Sequence, residues 1–180
     1  VEPVKIPIKD GISAGINGIV DRVDVYEDED NAYVKVVDYK TGGKHFSASD
    51  VKKGINLQLL LYLYSITVNG SPFFGGKKVI PAGAMYMTAK TSPVRIGNPS
   101  VSEKEKKDAV TREMKRSGIL LWDEKIASVY NSSGDNKRMP TNQADCMYTL
   151  SEMNALFAEL SLVYIFSYTG ISSEVMNLHL

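Results

Sequence analysis

Residues 36–42, VVDYKTG, decide how this chain is read, together with GIVDRVDV at 18–25 before them and INLQLLLYLYSI at 55–66 after them. Gly18 to Tyr26 and Tyr33 to Tyr39 are rich in valine, isoleucine and tyrosine, and the turn-prone run Glu27, Asp28, Glu29, Asp30, Asn31 separates them. That is the pattern of two antiparallel strands joined by a short loop. Folded about its middle, between Glu29 and Asp30, the hairpin brings Asp21 opposite Asp38 or within a residue of it. Side chains alternate between faces along a strand. One face therefore carries Ile19, Asp21, Val23 and Val25 beside Val34, Val36, Asp38 and Lys40, and it is expected to face the core. Burying two acids unpaired on such a surface costs several kcal/mol, so a cation is their natural partner. Asp24 has the opposite parity, and with Arg22 it is expected to form a structural ion pair on the other face.

A single D-Y-K in a strand reads as an ordinary strand end with a surface ion pair. Asp21, Asp38 and Lys40 together on one face point further, to a magnesium-dependent phosphodiester hydrolase. In that chemistry carboxylates hold the cation, the cation neutralises the scissile phosphate, and the lysine positions or deprotonates the attacking water. From Ser49 to Val68 the alternation stops and a helix is expected, with Asp50 or Ser49 as its N-cap. Ile55, Leu57, Leu59, Leu60, Leu61, Leu63 and Ile66 cover nearly every side of it, so it should be buried against the sheet. Gln58 and Tyr62 lie four apart on one helix face. A glutamine in such a helix needs hydrogen-bond partners, which nearby backbone, an active-site edge or a DNA phosphate could provide.

G-I-V-D-R-V-D, V-V-D-Y-K-T-G and Q-L-L-L-Y together resemble the RecB-type nuclease module of the PD-(D/E)XK superfamily, whose signatures are G-x-x-D, (D/E)-x-K and Q-x-x-x-Y. The nearest likeness is to the C-terminal nuclease domain of the AddB/RexB family of helicase–nuclease subunits. It runs from about Gly11 to Gly170 and takes in VIPAGAMYMTAK at 79–90 and KRSGILLWDE at 115–124. The resemblance implies an α/β, restriction-endonuclease-like fold: a mixed central sheet flanked by helices. It implies that Asp21 and Asp38 are metal ligands, that Lys40 is the catalytic lysine, and that Gln58 and Tyr62 line the DNA side of the site. One or two Mg2+ ions, replaceable by Mn2+, would sit between Asp21, Asp38 and the Tyr39 carbonyl. The implied activity is exonuclease cleavage of a single DNA strand in double-strand-break repair, beside a helicase subunit of AddA/RexA type. A catalytically idle nuclease fold serving DNA binding or assembly, and a Cas4-like exonuclease, are the alternatives. The retained triad speaks against the first, and the AddB-like segment after the core against the second. Relatives of this type carry four cysteines for an iron–sulfur cluster, but this chain has one, Cys146, and one thiol cannot hold such a cluster. Cys146 is expected to be an ordinary reduced cytoplasmic thiol.

The chain has 180 residues and a formal net charge of zero, so it lacks the global basic field of a stand-alone DNA-binding protein. Lys44 and Lys52 are the local candidates for contacting DNA, while His45 has no visible companion as a metal ligand. No signal peptide or membrane-spanning run is present, which fits a cytoplasmic protein. The chain opens on a strand-like VKIPI and stops soon after a long helix, and it is expected to be a single nuclease domain, 1–180, of a larger subunit. Ser71–Lys78 reads as a turn-rich loop, and Val79–Ala89 as a strand parallel to the D-Y-K strand, reached by a right-handed crossover. Val101–Arg116 reads as a charged, exposed helix, and Ile119–Trp122 as a short strand. Pro93–Pro99 and Ser132–Asn142 read as loops. Thr149 with Glu152 forms a capping box opening a helix through Ser167, whose core stripe is Leu156, Leu160, Val163 and Phe166.

Overall fold

The computed structural model describes residues 4–9, 12–16, 18–41, 45–88, 102–106, 117–130 and 146–169. Strands β1 (Val4–Lys9) and β2 (Ile12–Ile16) form a small antiparallel sheet, of which the sequence pattern shows only the first strand. The main sheet has the order β3-β4-β5-β6-β7, from β3 (Arg22–Glu27), β4 (Asn31–Lys40), β5 (Lys78–Thr88), β6 (Ser117–Leu121) and β7 (Met147–Tyr148). The pairs β4–β5 and β6–β7 are parallel, and β3–β4 and β5–β6 antiparallel. The helices are α1 (Ala48–Lys52), α2 (Gln58–Asn69), α3 (Glu124–Tyr130) and α4 (Leu150–Thr169). This is the mixed α/β sheet with flanking helices that the sequence implied.

The hairpin β3–β4 closes in the expected register, with Arg22 opposite Val37 and Glu27 opposite Ala32. Within the turn, the Asp28 side chain bonds the backbone. Asp28 Oδ1 accepts the backbone N–H groups of Asp30 at 3.0 Å and Asn31 at 2.8 Å, a short polar residue bonding its own turn. Continuing the ladder past Arg22 and Val37 sets Asp21 across from Asp38.

The shared face is only half core. Val34, Val36 and Asp38 are buried, but Val23, Val25 and Ile19 are 39%, 41% and 86% exposed. The cause is topological: β3 is the edge strand, and α2 lies over β4 and β5. Leu59, Leu60 and Leu63 of α2 are fully buried and join Val34, Val36, Ala84 and Ile119 in the core, together with Met153 and Leu160 of α4. Each such leucine stabilises the fold by about 1.5–3 kcal/mol.

The expected single helix from Ser49 to Val68 is broken in two. Gly54 and Asn56 take left-handed φ values of 74° and 58°, which no helix continues through. The N–H of Gly54 closes α1 on the Val51 carbonyl, and the Asn56 amide donates to Asp50 Oδ2 at 3.2 Å. The N-cap of α1 is Ser47, and Asp50 lies inside the first turn. Ile55 falls in the break and is 50% exposed rather than buried.

The remaining elements follow the sequence with local shifts. The loop at 71–78 contains a turn of 3-10 helix, Ser71–Phe74. Pro81 pairs with Val34 and Gly83 with Lys35, so Ala82 is a bulge where proline cannot donate to the ladder. Strand β6 begins two residues earlier than expected, and Trp122 lies beyond its end, 56% exposed. Strand β7 has no signature in the sequence because two residues show no alternation. The capping box of α4 is present: Glu152 Oε2 accepts the Thr149 N–H at 2.7 Å, and the Glu152 N–H donates to Thr149 Oγ1 at 3.2 Å. Leu156 and Leu160 are buried, whereas the side chains of Val163 and Phe166 lie outside the described residues. Of the charged helix at 101–116 only 102–106 is described, exposed or nearly so, with its own capping contact between Ser102 and Glu105. The loops at 93–99 and 132–142 lie outside the described residues.

Candidate metal-dependent active site

The open end of the hairpin gathers the site. Asp21, just ahead of β3, accepts the Tyr39 N–H through Oδ2 at 2.8 Å, which ties the first acid to the strand carrying the second. Asp38 is 4% exposed. Its Oδ2 lies 2.6 Å from Lys40 Nζ. Lys40 Nζ also donates to Gln58 Oε1 at 3.3 Å, and Gln58 Nε2 donates to Tyr62 Oη at 2.8 Å. Acid, lysine, glutamine and tyrosine form one connected chain of contacts.

The break in the helix explains this placement. Gln58 is the first residue of α2 and is exposed. It is not the buried mid-helix glutamine that the sequence suggested, and Lys40 and Tyr62 meet its hydrogen-bond needs. Tyr62, one turn on, packs against the backbone of Gly18. A Cβ at position 18 would lie 2.4 Å from Tyr62 Cε1, so the glycine of the G-x-x-D signature is the seat of the tyrosine of Q-x-x-x-Y.

Asp38 is the atypical group. Its Oδ2 is buried without a hydrogen bond, and the Lys40 ammonium, though close, is not aligned as a donor to it. The ion pair with Lys40 offsets part of the cost of burying it. Tyr86 faces Asp38 across the β4–β5 ladder. Burial and then the charge of Asp38 push its hydroxyl up to about 12.

The Asp21 and Asp38 carboxylates, and with them the Tyr39 carbonyl expected from the sequence, are the oxygens that could hold a cation. They fit a hard divalent ion of the magnesium type, which takes one or two carboxylates and fills its other positions with water and phosphate oxygens. Among the described residues no three histidine, cysteine, aspartate or glutamate side chains converge, as an all-protein cage for a different metal would require.

Arg22 and Asp24 behave as expected for structural residues. Arg22 Nε is 2.6 Å and Lys35 Nζ 2.9 Å from the Asp24 carboxylate. Burial pushes Asp24 up, but hydrogen bonds from Arg22 and Lys35 outweigh it and hold the carboxyl below its usual range. Lys52 pairs at 3.4 Å with Glu159 of α4, and its side chain stays 65% exposed. Lys44 lies outside the described residues, and His45 is exposed. Cys146 is buried just before β7. Tyr86 is the site residue that sequence reasoning missed. The available signal was the parallel pairing of VIPAGAMYMT with VVDYK, which sets its tyrosine beside the second acid. Among the described residues no helix is long and apolar enough to cross a membrane.

Comparison with known proteins identifies the family. Residues 1–149 match the family model of the PD-(D/E)XK nuclease superfamily. The chain is 35% identical over 124 residues to the B subunit of the ATP-dependent helicase/deoxyribonuclease of Acetivibrio thermocellus, covering 69% of this chain and 11% of that protein. It is 36% identical over 124 residues to the protein of the same name from Clostridium novyi, with the same coverage of 69% and 11%. Against that of Carboxydothermus hydrogenoformans it is 33% identical over 177 residues, 88% of this chain and 15% of that protein. The chain belongs to the PD-(D/E)XK nuclease superfamily. It spans only 11–15% of the length of these relatives.

Proposed function

We propose that this chain is the nuclease domain of the B subunit of a bacterial helicase–nuclease, and that it hydrolyses DNA phosphodiesters with magnesium, manganese serving as substitute. The observation that carries the reading is Asp38 Oδ2, a buried oxygen without a hydrogen bond, across the hairpin from a second acid and beside a lysine. Asp21 and Asp38, with the Tyr39 carbonyl, would hold the cation. When bound, it would polarise the scissile phosphate and lower the pKa of an attacking water. Lys40 Nζ donates a hydrogen bond to that water, orients it for in-line attack and offsets charge in the transition state. Gln58 fixes the ammonium from the side, and Tyr62, seated on Gly18, fixes Gln58.

The names of the relatives support a larger assembly. We infer end-directed exonuclease action on a single strand, delivered by a helicase subunit of AddA/RexA type during break repair in the cytoplasm. The neutral charge of the chain supports delivery by a partner over independent capture of DNA. Lys44 and Lys52 are proposed to contact the strand.

Manganese titration monitored by calorimetry and melting temperature tests the reading, with cleavage of a labelled single strand measured alongside. Wild type should be stabilised by the metal through mass action and should cut DNA. Asp38→Ala should lose both properties. Lys40→Ala should keep the metal response and lose cleavage by at least about 100-fold, as expected for a group that serves the water and transition state. A wild-type chain indifferent to millimolar manganese would defeat the proposal.

A further inference from the structure

Lys40 must change partners during the reaction proposed above. Its ammonium lies 2.6 Å from Asp38 Oδ2, 3.3 Å from Gln58 Oε1 and 5.9 Å from the centroid of the Tyr86 ring. The first contact weakens once a cation takes the charge of Asp38. The second comes from an exposed side chain in the opening turn of α2. The third is different in kind. Tyr86 stands on a central strand, is 3% exposed and belongs to the hydrophobic core, so its ring cannot follow the lysine as it moves.

The geometry points to Tyr86 as a positioning residue for Lys40, its aromatic face holding the ammonium in place when Asp38 turns to the cation. The inference rests on the nuclease reading. An aromatic face suits the task because it attracts an ammonium through its quadrupole. It offers no carboxylate to draw Lys40 away from the water. It also competes less for a hard cation than an anionic oxygen would. The strand register makes the placement unavoidable: Tyr86 pairs with Asp38, and Lys40 follows Asp38 by two residues and so lies on the same face.

The test uses the full chain, a labelled DNA single strand and manganese. Tyr86→Leu, which removes the ring, is expected to lower kcat about tenfold while leaving KM for DNA and the manganese midpoint unchanged. Tyr86→Phe restores the face and should recover most of the loss. A second readout needs no activity. In the manganese-loaded protein without DNA, Lys40 modification by an amine-reactive reagent, read by peptide mass spectrometry against the exposed Lys52, should rise severalfold in Tyr86→Leu and return in Tyr86→Phe. Should Tyr86→Leu not fold, phenylalanines of increasing fluorination at position 86 keep the ring and weaken its negative face. In that series kcat should fall, and Lys40 labelling rise, in step with fluorination. Unchanged kcat or unchanged labelling on loss of the ring overturns the inference, as does a Tyr86→Phe protein as impaired as Tyr86→Leu. If wild type cuts no DNA but labelling follows the pattern, the nuclease reading falls and the Tyr86–Lys40 contact stands.

Discussion

The hairpin β3–β4 has an aspartate at each end, and the two are treated in opposite ways. At the turn, Asp28 accepts two backbone N–H groups and pairs with Lys125 of α3, whose ammonium also lies over the rings of Tyr26 and Tyr33. Lys77 bridges the same turn, reaching Glu27 Oε2 and the Asp28 carbonyl, both at 2.8 Å. At the open end, Asp38 is buried deeper, yet one of its oxygens has no hydrogen bond. The turn acid is satisfied by its own chain and holds the fold. The second acid also has a lysine, Lys40 at 2.6 Å, but its Oδ2 accepts no hydrogen bond, which leaves it open to the cation proposed above. Burial alone does not distinguish the two acids; the number of hydrogen bonds that their oxygens accept does.

Neutralising each acid in turn is the sharpest way to break that contrast. Asp38→Asn should reduce metal-dependent cleavage to background and erase the manganese-induced rise in melting temperature. Its metal-free melting temperature should fall only slightly, because loss of the ion pair with Lys40, itself partly exposed, is offset by removal of a buried charge. A clear drop in metal-free stability would make Asp38 a structural acid like Asp28.

Asp28→Asn should do the reverse. The Asp28 carboxyl is held well below its ordinary range, first by the hydrogen bond from Lys125 and then by the backbone of Asn31. A carboxylate depressed in the folded state adds stability above its unfolded pKa, near 4, and that stability is lost as pH falls through the folded value. The neutral amide of this variant still bonds the turn but cannot form the ion pair with Lys125. Thermal melts from pH 7 to pH 2 should therefore show a lower melting temperature at neutral pH and a shallower acid limb, with cleavage retained. An acid limb as steep as that of wild type would refute the assignment.

The smallest expected effect concerns the seat of Tyr62. Gly18→Ala forces the ring aside, and because its far edge can yield, the fold should survive. Displacing Tyr62 loosens Gln58 and through it Lys40, so kcat should fall on the order of tenfold or less, with metal affinity unchanged. An unaltered kcat would show that the Gly18–Tyr62 contact is packing alone.

Much of this was legible in the sequence because strand alternation and turn chemistry are local. The valine and tyrosine runs around five turn-forming residues specify the hairpin, its register and the facing of Asp21 with Asp38. The capping box at Thr149 and Glu152 marks the start of α4. What was not legible depends on context. An edge strand cannot be known from its own residues, so Val23 and Val25 read as core. Gly54 and Asn56 each tolerate a helix, and only their left-handed geometry reveals the break that puts Gln58 at a helix start. The role of Tyr86 needed the pairing of two strands separated by a helix.

The Asp28 turn works as a length standard. It lies about 20 Å along the strands from Asp21, yet the residue count through it determines which residue meets Asp38. One added residue in the turn would shift the pairing by one, and successive residues face opposite ways. Asp21 would then trade places with its chain neighbours on the far side of the sheet. A change in the identity of Glu29 or Asp30 costs the hairpin little, whereas a change in their number alters which residue faces Asp38. The two ends of the hairpin are therefore coupled through the backbone, one constrained in chemistry and the other in count.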